Sequence, residues 1–296
     1  MKRTNAAIDF RPLLLWIWVV LALFLLQPHP AGGQEGEDGK TLPAPALLRQ
    51  IWHPGPPRPK AMQELEKALF KATNQQRSLS AATPQPLKPN PSLVEVAAQF
   101  SLRMRDEGFF SHDDPAGAGP SDRVGKGMRT AFGTSAENIA RLTDRPDLAE
   151  AFMKAWMNSP SHGKNILDSV RTDLGVGCAE AKPDDMHGWV NCTQLFMSLY
   201  ASLRQPFPDT VKAGQAVDVE IAPENGNPVP VRLSQTNLQT GSVASAADLR
   251  EHNGAGAGKL VVQGPSGVYR LDLDIPDQTT RGRFIIVPGP YLTVQP

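Results

Sequence analysis

Apolar positions recur at helical spacing in three stretches of the chain. Over 61–77, Met62, Leu65, Leu69 and Phe70 share one stripe and predict a half-buried helix that opens a globular region. Asn90-Pro91 is a cap and first-turn pair; Leu93, Val96, Ala97, Phe100 and Met104 follow on one face, with Gly108 as the stop. A third helix starts near Pro146, carries Leu148, Ala149, Phe152 and Trp156, and ends at Ser159-Pro160. From Asp173 to Phe196 the period drops to two. Leu174, Val176 and Cys178 line one stretch and Val190, Cys192 and Gln194 the returning one, a hairpin about the turn-rich 182–188 (KPDDMHG). Past Pro206 the helical period disappears, and 217–221, 229–233, 260–263, 268–275 and 284–287 read as short strands between Gly, Pro, Asn and Asp clusters. They predict a small antiparallel, immunoglobulin-like β-sandwich. No internal repeat is evident.

The remaining apolar pattern is a single uninterrupted run, 13–26 (LLLWIWVVLALFLL), behind Lys2, Arg3 and Arg11. It reads as a secretory signal, with Ala31 and Gly33 as a small-x-small cleavage site leaving Gln34 first. Its length falls short of the ~17–25 residues of a spanning helix, although an uncleaved anchor is a second reading. The chain is therefore expected to be secreted or periplasmic, meeting a membrane only through this N-terminal segment. No Cys lies near the run, which excludes a lipid anchor on cysteine. Residues 34–60 hold six prolines and few core formers, and fit an extended spacer. The expected layout is 1–33 signal, 34–60 linker, 61–204 a first domain of mixed helix and strand, and 205–296 the sandwich.

Composition narrows the function classes. Thirty basic and 30 acidic side chains in 296 residues give zero formal net charge, which excludes a polybasic nucleic-acid binder. Twenty-eight prolines and 25 glycines, well above the usual ~12% for the two together, argue against an all-helical chain. The two cysteines, Cys178 and Cys192, cannot make a Cys-based zinc site. The hairpin midpoint, residue 185, falls inside the turn, so its strands would set them opposite one another. In an oxidising compartment this predicts a structural disulfide; without a Cys-x-x-Cys spacing, a reactive thiol pair is the weaker alternative.

Histidine is the residue type that most repays sorting. His29 and His53 lie in export and spacer sequence, His187 in the hairpin turn and His252 in a Gly-rich loop. Two remain: His112 after Phe109-Phe110-Ser111, and His162 just beyond the third helix. Glu137 is an acid in the stretch Ser135-Ala136-Glu137-Asn138-Ile139-Ala140. Two imidazoles and a carboxylate form a reasonable ligand set for Zn²⁺ or another divalent metal, with one position open. The separations 112 to 137 and 137 to 162 are too long to fix any geometry. Ser159 can be drawn as a nucleophile with His162 as base, but Ser before Pro at a helix start reads better as an N-cap whose oxygen is occupied by backbone N–H groups. Packing alone is the competing explanation: His112 as a histidine bonded to backbone, Glu137 as a cap. Asn138 and Trp156 read as scaffold, and Asp113 and Asp114 as a solvated loop.

In order, Asn74-x-x-Arg77, Phe110-Ser111-His112, Glu137-Asn138-Ile139-Ala140, Trp156-x-x-Ser159-x-x-His162, Gly175-Val176-Gly177 and Gln194-Leu195-Phe196 resemble the CAP superfamily. This superfamily comprises cysteine-rich secretory, antigen 5 and pathogenesis-related proteins, and the resemblance is to its compact bacterial branch over about residues 65–200. It implies an α+β fold, an α-β-α layered domain whose surface cleft carries His112, Glu137 and His162, with Ser159 where many eukaryotic members have a second acid. It also implies that such a cleft can hold a divalent metal, and that members bind sterols, fatty acids or other partners.

Taken together these readings predict an exported, non-catalytic binding protein. Its cleft would take a metal or a cell-envelope or small apolar ligand, and its C-terminal sandwich would meet a second, protein partner. Two rivals stand beside it. One is an envelope hydrolase using Glu137 or a metal-bound water, the other a structural or adhesive envelope protein.

Overall fold

The computed structural model describes residues 57–296. The apolar run, its cleavage site and the linker up to residue 56 lie outside the described residues. The expected membrane contact through the N-terminal segment is withdrawn. Among the described residues no helix is long and apolar enough to cross a membrane, and the run that prompted the expectation lies outside them and is shorter than the ~17–25 residues of a span.

Helix α1 (Lys60–Leu79) turns Met62, Leu65 and Leu69 inward, as its stripe predicts. Strand β1 (Lys88–Pro89) leads to helix α2 (Pro91–Asp106), where the Asn90 side chain accepts from the backbone N–H of Leu93 at 3.3 Å and Pro91 fills the first turn. Gly108 takes φ +75°, the left-handed turn that closes this helix. Helix α3 (Pro120–Gly127) and strand β2 (Ala131–Thr143) follow, then α4 (Leu148–Met157) and α5 (Pro160–Leu167) on either side of Ser159. Strands β3 (Asp173–Ala179) and β4 (Trp189–Leu203) form the expected hairpin. Cys178 and Cys192 are register partners and are joined by a disulfide.

Alternation along these strands builds three layers, because successive side chains leave opposite faces. Leu174, Val176, Cys178, Cys192 and Phe196 pack with α1, α4 and α5 through Leu69, Phe152, Trp156 and Ile166. On the other face, Leu195 and Met197 pack with α2 and α3 through Leu93, Val96 and Val124. Helix α2 lies close on β3 because Gly175 and Gly177 carry no side chain: a Cβ on Gly177 would sit 2.0 Å from the Ala98 nitrogen.

The C-terminal region contains β5 (Thr210–Lys212), β6 (Ala216–Pro223), β7 (Arg232–Asn237), β8 (Val243–Asp248), β9 (Arg250–His252), β10 (Ala255–Val261), β11 (Gly267–Pro276) and β12 (Phe284–Gln295). One sheet runs β1-β3-β4-β6-β10-β9 with β2 also on β4; the other runs β5-β12-β11-β7-β8. Their inner faces share a core that includes Leu233, Leu260, Leu271, Leu273 and Leu292, so the region is sandwich-like and the whole is α+β. The same core takes in Phe132, Ala201 and Leu203 from β2 and β4, because β4 continues past Leu199 to pair with β6. Several expected boundaries move, and the strand expected over 284–287 runs on to Gln295. The strand expected over 229–233 begins at Arg232, since Pro228 and Pro230 have no N–H to donate. The strand expected over 260–263 ends at Val261. The second sheet is also not wholly antiparallel: β12 pairs with β5 in parallel.

Candidate functional site

Strand β2 supplies the acid. Among the described residues it is paired only with β4, and the side chain of Glu137 leaves its α2/α3 face almost wholly buried, at 1% exposure. Arg123 comes down from α3 to meet it, with Nη2 donating to Glu137 Oε2 at 2.6 Å. Nη1 of the same guanidinium donates to the carbonyls of His112 and Ala118, each at 2.9 Å. Its carbon lies 3.4 Å from the centre of the Phe100 ring. The arginine thus fixes three things at once: the carboxylate, the loop at His112 and the residue that leads into α3.

The loop carries His112. Asp114, buried, accepts from the Ala116 and Ala118 nitrogens and from Arg103, while Arg141 donates to the Phe109 carbonyl at 2.8 Å. Held this way, His112 places Nδ1 2.8 Å from Glu137 Oε1, with half its side chain in solvent. Nε2, across the ring, has no partner among the described residues. The hydrogen bond to Glu137 raises the His112 pKa above its ordinary value, and burial pulls the other way.

His162 reaches the same neighbourhood by a second route. Asn165 of α5 donates to the Glu137 carbonyl at 3.2 Å and to Asn138 Oδ1 at 2.9 Å, which covers the open edge of β2. The Asn138 amide in turn donates to the His162 carbonyl and to Gln194 Oε1, and Gln194 donates to Thr73 of α1. The half-buried His162 is held below its ordinary pKa by desolvation first and by the charge of His112 second.

Ser159 is at the N-cap of α5, yet its oxygen does not cap. No backbone N–H donates to it, and Oγ lies 3.2 Å from Ser161 Oγ instead. The reading of that oxygen as occupied by backbone N–H groups is corrected accordingly. Glu137 caps nothing either; it stands mid-strand. Asp114 belongs to the buried framework rather than to a solvated loop. Sequence reasoning missed Arg123 and Asn165, since neither falls on an apolar period; the Pro at the start of α3 was the available signal for that helix.

The arrangement limits the chemistry. Each Glu137 oxygen already has a close partner and the side chain is 1% exposed, so burial rather than lack of lone pairs shields the carboxylate from a substrate water or a metal. Among the described residues no three His, Cys, Asp or Glu side chains converge as a metal site. A guanidinium against the would-be carboxylate ligand also fits poorly with a divalent cation, and no step is derived through one. What the site does offer is a positioned imidazole whose protonation makes the Glu137, Arg123 and His112 group net positive.

The cysteine-rich secretory protein family, CAP, matches residues 70–196. The uncharacterized protein YkwD of Bacillus subtilis (strain 168) is 34% identical over 123 residues, 42% of this chain and 46% of that protein. The uncharacterized membrane protein YlbC of the same organism is 36% identical over 85 residues, 28% of this chain and 23% of that one. The chain thus spans less than half the length of these curated relatives. Among solved structures, an outer surface protein from Borrelia burgdorferi aligns with a TM-score of 0.40 at 20% identity, covering 47% of this chain and 95% of that one. A family described as secretory supports an extracytoplasmic location, in keeping with a formed disulfide. By the family match, residues 70–196 of this chain form a CAP domain.

Proposed function

We propose that the CAP domain is a non-catalytic binding module whose His112 and His162 receive an anionic group, a carboxylate, of a cell-envelope ligand. One observation supports this reading above the others. Glu137 is neutralised by Arg123 and spends its remaining oxygen on His112 Nδ1, which leaves the imidazole Nε2 as the outward group. A protonated His112 then carries the site's uncompensated charge, and a charge-assisted hydrogen bond from it is about twice as strong as a neutral one. A hydrolytic reading would need a base open to water, and the Glu137 side chain is 1% exposed with a guanidinium on one oxygen and an imidazole on the other.

The test is calorimetry with a soluble acidic muropeptide and with its amidated counterpart. The acid should bind about tenfold more tightly than the amide, and His112→Ala should remove that difference. Affinity should fall as pH rises through the raised His112 pKa. Equal heats from wild type and His112→Ala would defeat the proposal. So would a zinc heat, measured with Zn²⁺ alone, that disappears in His112→Ala, because the site would then be a metal centre.

A further inference from the structure

A cavity of about 180 Å³ opens between α3, the first residues of β2 and the C-terminal strands β11 and β12. It lies along a seam that is specified from both sides. A Cβ on Gly125 of α3 would sit 2.4 Å from the Tyr291 ring of β12, and a Cβ on Gly289 of β12 would sit 2.3 Å from the Phe132 ring of β2. Each glycine lets an aromatic ring of the other side lie directly on the backbone. Arg129 crosses the same seam, donating to the carbonyls of Phe207 and Tyr291 and pairing with Asp209. The cavity is therefore preformed, and junctions of this kind are where ligand pockets concentrate.

Its polar groups are hydroxyls and paired charges. Ser121 Oγ lies 3.2 Å from Ser135 Oγ, and Thr134 adds a third hydroxyl. Arg270 donates to both oxygens of Asp272, at 2.6 and 3.2 Å. The Tyr291 hydroxyl donates to Asp122 at 2.9 Å. With Arg270 matched by Asp272 and Asp122 already beside the wall, no uncompensated cation asks for an anion. Met197 and Pro288 supply apolar surface between the polar groups.

We infer that this cavity is a ligand site separate from the histidine pair, and that it takes an uncharged, hydroxyl-rich ring, a saccharide unit. Hydroxyl donors and acceptors face the ring's edge, the fixed Arg270–Asp272 pair offers planar hydrogen bonding, and the apolar wall suits its C–H face. The inference does not rest on the anion reading above. The two sites are nonetheless neighbours: Ser121 is two residues before Arg123 on α3, and Ser135 is two before Glu137 on the same face of β2, about 7 Å along the strand. One glycan chain bearing a carboxylate could reach both.

The probe is tri-N-acetylchitotriose, a neutral saccharide, titrated into the full chain and followed by amide NMR. Saturable shifts are expected at residues 121, 134, 135, 270 and 291. Ser121→Leu, which puts an isobutyl group into the cavity from an exposed helix position, should weaken binding at least about tenfold. Ser135→Ala should weaken it about fivefold, with an unchanged melting temperature as evidence of folding. His112→Ala should leave saccharide affinity intact. No saturable shift with about 10 mM probe, equal affinity in wild type and both serine variants, or loss in His112→Ala would each overturn the inference.

Discussion

Replacing Arg123 with methionine should be among the most damaging single changes in the domain. Methionine keeps an apolar stem but removes the cation from the Phe100 face and from Glu137, whose side chain is 1% exposed against 8% for Arg123. At an effective dielectric of about 20, two unit charges about 4 Å apart attract by about 4 kcal/mol, and losing one partner of a buried pair costs about 3–5 kcal/mol. The His112 and Ala118 carbonyls lose their donor as well. The expected loss is therefore about 4 kcal/mol, read from urea denaturation at pH 7. Because Arg123 pushes the His112 pKa down, its removal lets that imidazole protonate more readily and take up part of the charge. The penalty should accordingly be smaller at pH 5.5 than at pH 8. In a Glu137→Gln background no carboxylate is left uncompensated, and the cost should fall by about 2 kcal/mol or more. A loss below about 1 kcal/mol, or additivity of the two substitutions, would refute the claim that the arginine exists to neutralise the glutamate.

The remaining predictions are simpler. Breaking the Cys178–Cys192 link, 14 residues apart in sequence, with a Cys178→Ala, Cys192→Ala double variant should cost about 3 kcal/mol by loop-closure entropy, and added reductant should no longer shift its melting temperature. Gly177→Ala should lose about 3 kcal/mol or fail to fold, since the new methyl meets the backbone of α2 rather than a movable side chain; a stable variant would mean α2 can lift away from β3. Stability should carry opposed histidine contributions across the neutral range. The His112 pKa is raised on folding, so its contribution is complete below about pH 6.5 and is lost as pH climbs through the folded value. The His162 pKa is lowered, so its contribution holds above about pH 6.5 and is lost as pH drops through the folded value. Urea titrations of His112→Asn and His162→Asn should therefore change the slope of stability against pH in opposite senses.

Much of the scaffold is readable because its layers obey simple periods. The stripes of α1 and α2, the Asn90 cap and the β3–β4 alternation follow directly from one buried face per element, and the cysteine register follows from the position of the turn. Strand β2 is different. Its sequence, AFGTSAENIARLT, buries polar side chains on both faces, Glu137 toward α2 and α3 and Asn138 toward α1 and α5, so no apolar alternation marks it. Helix α3, PSDRVGKG, has two glycines and no stripe; it is held by Pro120 in its first turn, by Asp122 accepting from the Gly119 nitrogen and by the buried Arg123. Those two elements carry the acid and the arginine of the site; the histidines and Glu137 stood out in the sequence by residue type, while the Arg123 that neutralises the acid did not. The long β12 hid behind Pro288 and Pro290, which read as breaks and instead line its irregular passage along the seam.

The account turns on Glu137 raising the His112 pKa and on the charge of His112 helping to lower that of His162, and the most direct measurement is a pH titration of the His112 and His162 Cε1 protons by NMR in wild type and in Glu137→Gln. In wild type, His112 should titrate above and His162 below the ordinary value of about 6.5. In Glu137→Gln, His112 should fall toward or beneath that value, and His162 should move upward as its neighbour loses charge. Two imidazoles that titrate alike in both proteins, indifferent to the glutamate and to each other, would contradict the account.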